Sequence, residues 1–349
     1  MKIKFLAYLA CASILIMGCD GCKEANEVKD YAVGVLIVNE GSFGNSNGSI
    51  TWNKGSETEN NVFENVNGGA LGDVIMDVDQ ANGKTYIVSN NTQKVIVVNS
   101  NSFAYETAIT GFNYPRHFLK ISNSEAVVSD GSGFGRLCWI DLNLNAVSSN
   151  TAVGEGPEDM ILAGGSVFVC NSGGWGIDNT ISVVDVNTKQ VTNTIVVENK
   201  PMEIATDANG VIWVLCAGET QYDANWNVIG HTQAALIKID PVTLATTTFT
   251  IGSLGDHPEH MAVDKVNNRI YIANQNVMIF DLATFSISNP SFVSGQANGI
   301  SVDPSNGNVW ICGPTDFVSS SEIRVYDANG SSIKSFNAGI ASRKVVFFN

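Results

Sequence analysis

Residues Pro157–Lys200 read PEDMILAGGSVFVCNSGGWGIDNTISVVDVNTKQVTNTIVVENK. Four short apolar runs stand in this stretch: Met160–Leu162, Val167–Cys170, Ile181–Val184 and Thr194–Val197. Each is too short for a helix, rich in Val and Ile, and bounded by Gly, Asn, Asp or Thr. That pattern predicts strands joined by tight turns. A four-stranded sheet of about 40 residues cannot bury both faces alone, so it needs neighbours.

The rest of the chain supplies them. The opening of the unit recurs at Pro115-Arg116-His117-Phe118-Leu119, Pro157-Glu158-Asp159-Met160-Ile161, Pro201-Met202-Glu203-Ile204-Ala205 and Pro258-Glu259-His260-Met261-Ala262. Weaker copies are Gly72-Asp73-Val74-Ile75-Met76, Ala297-Asn298-Gly299-Ile300-Ser301 and Ser342-Arg343-Lys344-Val345-Val346. The spacing is about 40–45 residues, widened once by an insertion in the fourth unit, and falls in the range of propeller blades. Six units are complete, and the seventh opening has one strand left before the chain ends. Its missing strands are read at Gly34–Asn39, Gly48–Trp52 and Asn61–Asn65. The expectation is an all-β, seven-bladed β-propeller with a split closing blade, in which Lys344–Phe348 pairs with Val35–Val38. Closure would remove the open sheet edges.

Several conspicuous residues belong to this repeat. Asp141, Asp185, Asp240, Asp281 and Asp327 recur where the third strand meets a turn, so they read as turn caps rather than catalytic groups. Cys170, Cys216 and Cys312 occupy what reads as one repeat position at the end of the second strand. With Cys138 they are expected to be small buried hydrophobes, too far apart to bridge. These four cysteines form no C-x-x-C pair, and no His cluster points to zinc.

Composition narrows the function classes. The net charge of −15 argues against nucleic acid and against an anionic membrane surface as partners. The N-terminus reads as a leader, with Lys2 and Lys4 before an apolar run Phe5–Met17 that is too short to span a bilayer. Gly18 before Cys19 resembles a bacterial lipobox, with Met17 a departure from the usual small residue. The resemblance implies a signal peptide over 1–18, lipid on Cys19, a tether over 19–30 and the propeller over 31–349. An ordinary secreted protein cleaved nearby is the alternative. Lipid, not a spanning helix, would then hold the protein at the membrane. The acidic Asp20-Gly21-Cys22-Lys23-Glu24 is similar to export signals of Bacteroidetes surface lipoproteins, although an Asp after the lipidated Cys signals inner-membrane retention in enterobacteria.

In a propeller the start of the innermost strand and the loop between the second and third strands share one face. The strand starts place Asp73, Arg116, His117, Glu158, Asp159, Glu203, Glu259, His260, Asn298, Arg343 and Lys344 there. The loops, long and Gly-rich, bring Phe43, Phe134, Trp175, Tyr222, Trp226 and Phe317. The opposite face receives only short turns. Aromatic contact area and Gly-permitted backbone approach suit ligand binding. Loops that merely pack over the ring are the competing reading. For chemistry, Glu259 beside His260 and Arg116 beside His117 are candidate acid–base pairs or metal ligands. Glu158, Glu203, Glu259 and Asn298 are loosely compatible with the metal set of lactonase-type propellers. No phosphate cradle or nucleophile motif is present, and no cofactor, metal or catalytic residue is assigned.

The P-x-x-h-h openings and V-[VIF]-D-x-x-T repeats are similar to YncE-like propellers. The segments Asn39–Asn47, Asn61-Val62-Phe63, Leu71-Gly72-Asp73, Ile109–Phe112 and Pro115-Arg116 resemble the DUF5074-type surface lipoprotein propellers of Bacteroidetes, which include BtuG-type proteins that capture vitamin B12. The resemblance implies an outer-membrane, cell-surface lipoprotein that is not an enzyme. It would take a small-molecule ligand, cobalamin or a related corrinoid, and pass it to a TonB-dependent transporter. No corrinoid-contacting residue carries over. A lactonase- or lyase-like enzyme and an interaction scaffold without a small ligand are the alternatives.

Overall fold

The computed structural model describes residues 29–131 and 133–348. The expected leader with Cys11, the expected lipid attachment at Cys19, and Cys22 lie outside the described residues. The chain enters through β1 (Gly34–Asn39), β2 (Ser49–Lys54) and β3 (Glu57–Glu59), followed by a single turn-and-a-half helix α1 (Val62–Asn67). Blade one is then β4 (Ile75–Ala81), β5 (Lys84–Ser89), β6 (Lys94–Asn99) and β7 (Tyr105–Ile109). Blade two is β8 (Pro115–Lys120), β9 (Glu125–Asp130), β10 (Arg136–Asp141) and β11 (Ala146–Ala152). Blade three is β12 (Pro157–Ala163), β13 (Ser166–Asn171), β14 (Thr180–Asp185) and β15 (Val191–Val196), one strand for each run in the opening stretch.

Blade four is β16 (Pro201–Thr206), β17 (Ile212–Cys216), β20 (Ala235–Ile239) and β21 (Thr246–Thr250). Between its second and third strands stands a separate hairpin of β18 (Thr220–Tyr222) and β19 (Val228–His231). Blade five is β22 (His260–Asp264), β23 (Arg269–Ala273), β24 (Asn276–Asp281) and β25 (Ser286–Ser294). Blade six is β26 (Gly299–Val302), β27 (Val309–Cys312), β28 (Ser320–Tyr326) and β29 (Ser332–Ile340). The last strand, β30 (Ser342–Phe348), joins the N-terminal sheet in the order β3-β2-β1-β30. Leu36 pairs with Val346 and Val38 with Lys344, so the ring of seven blades closes in the expected register.

The innermost strands touch in the circular order β30, β4, β8, β12, β16, β22, β26 and back to β30. Seven hydrophobic clusters fill the gaps, one between each pair of neighbouring blades. Alternation along each strand explains this: successive side chains point to opposite faces, so each blade feeds two interfaces. In blade three, Val167 and Val169 face blade two, whereas Phe168 and Cys170 face blade four.

The repeated aspartates cap turns. Asp141, Asp185, Asp240, Asp281 and Asp327 each accept two backbone N–H donations from the turn that follows. Asn99 does the same in blade one. Backbone donors hold Asp185, Asp240, Asp281 and Asp327 below the ordinary carboxylate range. Cys138, Cys170, Cys216 and Cys312 are free and buried. Burial pushes the Cys138 and Cys312 thiols up to about 12, which leaves them inert.

Three readings of the sequence need correction. Asn61–Asn65 is not the outer strand of the closing blade; β3 fills that place, and Val62–Asn67 is helical. Asn61, in the left-handed region at φ 56°, turns the chain away from the sheet. The helix then drops Val62 and Phe63 into a cluster with Tyr31, Trp52 and Phe103. Second, Ile75 pairs with Ser89 as Pro115 pairs with Asp130, so blade one opens at Ile75-Met76-Asp77 rather than at Gly72-Asp73-Val74. Third, Met160 pairs with Val169 and Ile204 with Val214, which aligns Cys170 with Leu215. Cys216 lies one residue further on, and Cys170 and Cys216 face the same cluster from opposite blades.

A chain ending at Ala341 lacks β30 and leaves β1 and β26 without their partners. It is expected to lose the cooperative unfolding transition and the monomer peak, measured by circular dichroism and size-exclusion chromatography. A truncated chain that melts as the full chain does would contradict closure by this strand.

Candidate functional site

Antiparallel order places the loops between second and third strands on the same end of the ring as the starts of the innermost strands. The capped Asp turns fall on the other end. At the third position of each repeat opening stand Asp77, His117, Asp159, Glu203, His260, Gly299 and Lys344. These residues ring the channel, and three of the carboxylates bridge blades. Asp77 Oδ2 accepts the Phe118 N–H at 3.0 Å, Asp159 Oδ2 accepts the Ile204 N–H at 3.2 Å, and Glu203 Oε2 accepts the Met261 N–H at 2.5 Å. Each side chain thus satisfies a backbone donor of the next blade that the sheet itself leaves unpaired.

Charge inside the ring is paired. Lys344 Nζ donates to Asp77 Oδ1 at 2.5 Å, across the closing seam. Burial works against ionisation of Asp77, but Lys344 and the His117 imidazole outweigh it and hold the carboxyl well below its usual range. Burial likewise works against the Lys344 ammonium, and the Asp77 and Asp159 carboxylates raise it above its ordinary value. Asp159 shifts upward, because burial prevails over His117 and Lys344.

The sequence-selected residues separate into two levels. His117, Asp159, Glu203, Arg343 and Lys344 line a cavity of about 240 Å³ within the channel, walled also by Ile204, Met261 and Val302. Most of the others sit at the rim, over blades two to six. Arg116, Glu158 and Trp175 line one rim cavity of about 230 Å³ with Tyr114 and Lys200. Trp175, Tyr222 and Trp226 line a second, of about 770 Å³, with Ile177, Glu219, Ile229 and His257. Glu259, His260, Asn298 and Phe317 line a third, of about 310 Å³, with His257 and Gln296. Glu259 belongs to all three walls and makes no hydrogen bond or ion pair with the described residues. Phe43 and Phe134 are exposed but line none of these cavities.

Local backbone geometry explains the joining of the rim cavities. Gly156 adopts φ 56°, and a Cβ there would sit 2.0 Å from the Gly174 nitrogen. Only Gly allows this approach. It lays the Gly173–Gly176 loop against the start of β12, with Ser172 N–H donating to Gly156 O and Gly173 N–H to Glu155 O, both at 2.9 Å. Trp175 and Glu158 consequently share a wall. Trp175 is 86% exposed and Trp226 81%, with Tyr222, Val228 and Ile229 exposed beside them. Tyr222 and Trp226 pack with ring centroids 6.0 Å apart.

The candidate acid–base pairs are not built as sequence neighbours. Adjacent residues on a strand point to opposite sides. His260 Nδ1 meets Glu203 Oε1 of the preceding blade at 2.8 Å, not Glu259. Arg116 Nε donates to Glu158 Oε2 at 2.8 Å, and His117 faces Asp77, Glu158 and Asp159 at 3.6–3.9 Å. The lactonase-like set does not converge either. Glu158 is held by Arg116, Glu203 by His260 and Met261, and Asn298 donates to the Ser342 carbonyl. Among the described residues no three His, Cys, Asp or Glu side chains form a metal-holding group.

Comparison with known proteins places this architecture in a family. Residues 33–341 match the family described as "Domain of unknown function (DUF5074)". The chain belongs to the DUF5074 family. No curated protein matches it. Among solved structures, it is similar to hydrazine synthase from Kuenenia stuttgartiensis, at 13% identity and a TM-score of 0.64, over 80% of this chain and 89% of that one. A quinonprotein alcohol dehydrogenase-like protein from Bacteroides thetaiotaomicron is similar at 14% identity and 0.64, over 92% and 79%. A functionally unknown protein from Desulfotomaculum acetoxidans is similar at 12% and 0.64, over 90% and 98%. At such identities these likenesses establish the fold alone.

In this DUF5074 protein the Asp77–Lys344 pair is expected to be a stability element. Lys344 is 39% exposed and Asp77 2%, so the pair lies between surface and core. Asp77→Ala is expected to cost about 2–4 kcal/mol, between the values for exposed and buried pairs. Urea unfolding measures this. The pH dependence follows from the shifts. The Asp77 contribution is present above the ordinary Asp value of about 3.9 and is lost as pH falls below it. The Lys344 contribution is full below the ordinary Lys value of about 10.4 and is lost as pH rises beyond it. A variant as stable as the parent at pH 7 would contradict this role.

Proposed function

We propose that this protein is a binding protein that captures a small-molecule ligand on the loop-bearing face of the propeller. The observation that carries the reading is the confluence of three rim cavities at the unpaired Glu259, beneath the exposed Trp175 and Trp226. Exposed aromatics in one place, with polar groups converging between them, are the features of a site that recognises a large amphipathic ligand. The carboxylates of Asp77, Asp159 and Glu203 each latch the neighbouring blade, a structural role that favours binding over bond chemistry as the work of this face.

The ligand in this proposal is cobalamin or a related corrinoid, a broad ring with an apolar face and a polar amide edge. The resemblance of Asn39–Asn47 and Pro115-Arg116 to B12-capturing surface lipoproteins supports it, and the wide aromatic rim suits it. Lipid anchoring through Cys19, display on the outer-membrane surface and delivery to a TonB-dependent transporter belong to the same proposal and rest on the sequence.

Isothermal titration of residues 20–349 with cyanocobalamin and cobinamide tests the reading. Binding of one corrinoid per chain is expected, weakened about tenfold or more, or about 1.4 kcal/mol, by Trp175→Ala or Trp226→Ala. Absence of heat and of any change in the corrinoid spectrum with both ligands would contradict the corrinoid assignment.

A further inference from the structure

The insertion of blade four brings together two histidines. His231 ends β19, and His257 lies in the segment that leads from β21 to β22. His231 Nδ1 stands 3.1 Å from His257 Nε2. Thr220 Oγ1, from β18, lies 3.3 Å from the first nitrogen and 3.2 Å from the second. Three donor atoms from three separate segments therefore form a nearly equilateral triangle.

The outer contact of His257 sets its tautomer. Its Nδ1 is 2.9 Å from the Ala217 carbonyl oxygen, which can only accept. Nδ1 therefore carries the proton, and Nε2 of the neutral ring presents a lone pair toward His231 and Thr220. A backbone carbonyl holding the far nitrogen is the support that metal-ligating imidazoles ordinarily have. A lone pair aimed at a second imidazole nitrogen and a hydroxyl can be satisfied by a proton on either partner or by a cation.

The triangle has the size a metal requires. Donors on one tetrahedral zinc ion, with bonds of about 2.0–2.1 Å, stand about 3.3 Å apart. We propose that His231 Nδ1, His257 Nε2 and Thr220 Oγ1 form one face of a binding site for a divalent transition-metal ion of the zinc type. Paired imidazoles select Zn²⁺, Cu²⁺, Ni²⁺ or Co²⁺ over Mg²⁺ and Ca²⁺, which prefer oxygen. With no third His, Cys, Asp or Glu joining the group among the described residues, the ion keeps open positions. Thr220 and His257 both line the 770 Å³ cavity, so those positions face the space between Trp175 and Trp226. Solvent or a donor atom of a captured molecule would complete the coordination. The site also ties the β18–β19 hairpin to the start of blade five, because its ligands come from both.

The test uses metal alone and so stands apart from the corrinoid reading. Residues 20–349, freed of any affinity tag, are titrated with Co²⁺ and followed by visible absorption, then competed with Zn²⁺. One ion per chain is expected, with Co²⁺ bands displaced by Zn²⁺ and no competition from Mg²⁺. His231→Gln and His257→Gln keep a hydrogen-bonding head and are expected to weaken binding about tenfold or more. Thr220→Val is expected to weaken it less. Unchanged far-ultraviolet circular dichroism without metal confirms that the variants fold. Absence of Co²⁺ bands in the parent protein, or binding that both His variants retain at full strength, would overturn the proposal.

Discussion

The pairing of β30 with β1 is the interaction on which the rest of the molecule depends. Each four-stranded sheet has two faces to bury, and a row of seven would leave two faces bare at its ends. Seven C-terminal residues remove both ends at once. The cluster between blades six and seven contains Val35, Ile37 and Val345, and the cluster between blades seven and one contains Leu36 and Val38 with Val346 packed against it. Loss of the one strand therefore opens two cores. Buried Asn39 staples the same seam, its amide nitrogen donating to Ser49 and Thr51 and its oxygen accepting from Gly339 and Ser342.

Closure also decides what is left for function. Once the blades surround a channel, the inner carboxylates face donors of neighbouring strands, and Asp77, Asp159 and Glu203 become latches. The short capped turns give the opposite end no long loops to shape a site. What remains free of these demands is the rim over blades three to six, where Gly156 lets one loop lie on another and blade four carries an extra hairpin. The exposed indoles, the unpaired Glu259 and the His231–His257 pair all collect in that sector.

The fold was legible because its evidence is repeated. An error in one copy, such as an opening at Gly72 in blade one, does not disturb a count made from seven. The helix at Val62–Asn67 was not legible, because Val-Phe flanked by polar residues reads equally as a short strand until the left-handed turn at Asn61 is known. The site was partly legible. Trp175, Tyr222, Trp226 and Glu259 stood out as individual residues in loops or strand starts, and the structure brings them to adjoining walls. Partnerships were not legible, since they join residues far apart in sequence: His260 with Glu203 over 57 positions, His231 with His257 over 26. The widened spacing of blade four marked the region, but nothing in the spacing paired those two imidazoles.

Hydrogen-exchange mass spectrometry of residues 20–349, with and without saturating cobalamin, tests most directly whether recognition is confined to the loop-bearing face. Slowed exchange is predicted in 172–178, 217–233 and 253–260, with the turns at 141–146, 185–191 and 240–246 unchanged. Slowed exchange in those turns, or no change anywhere, would contradict the account.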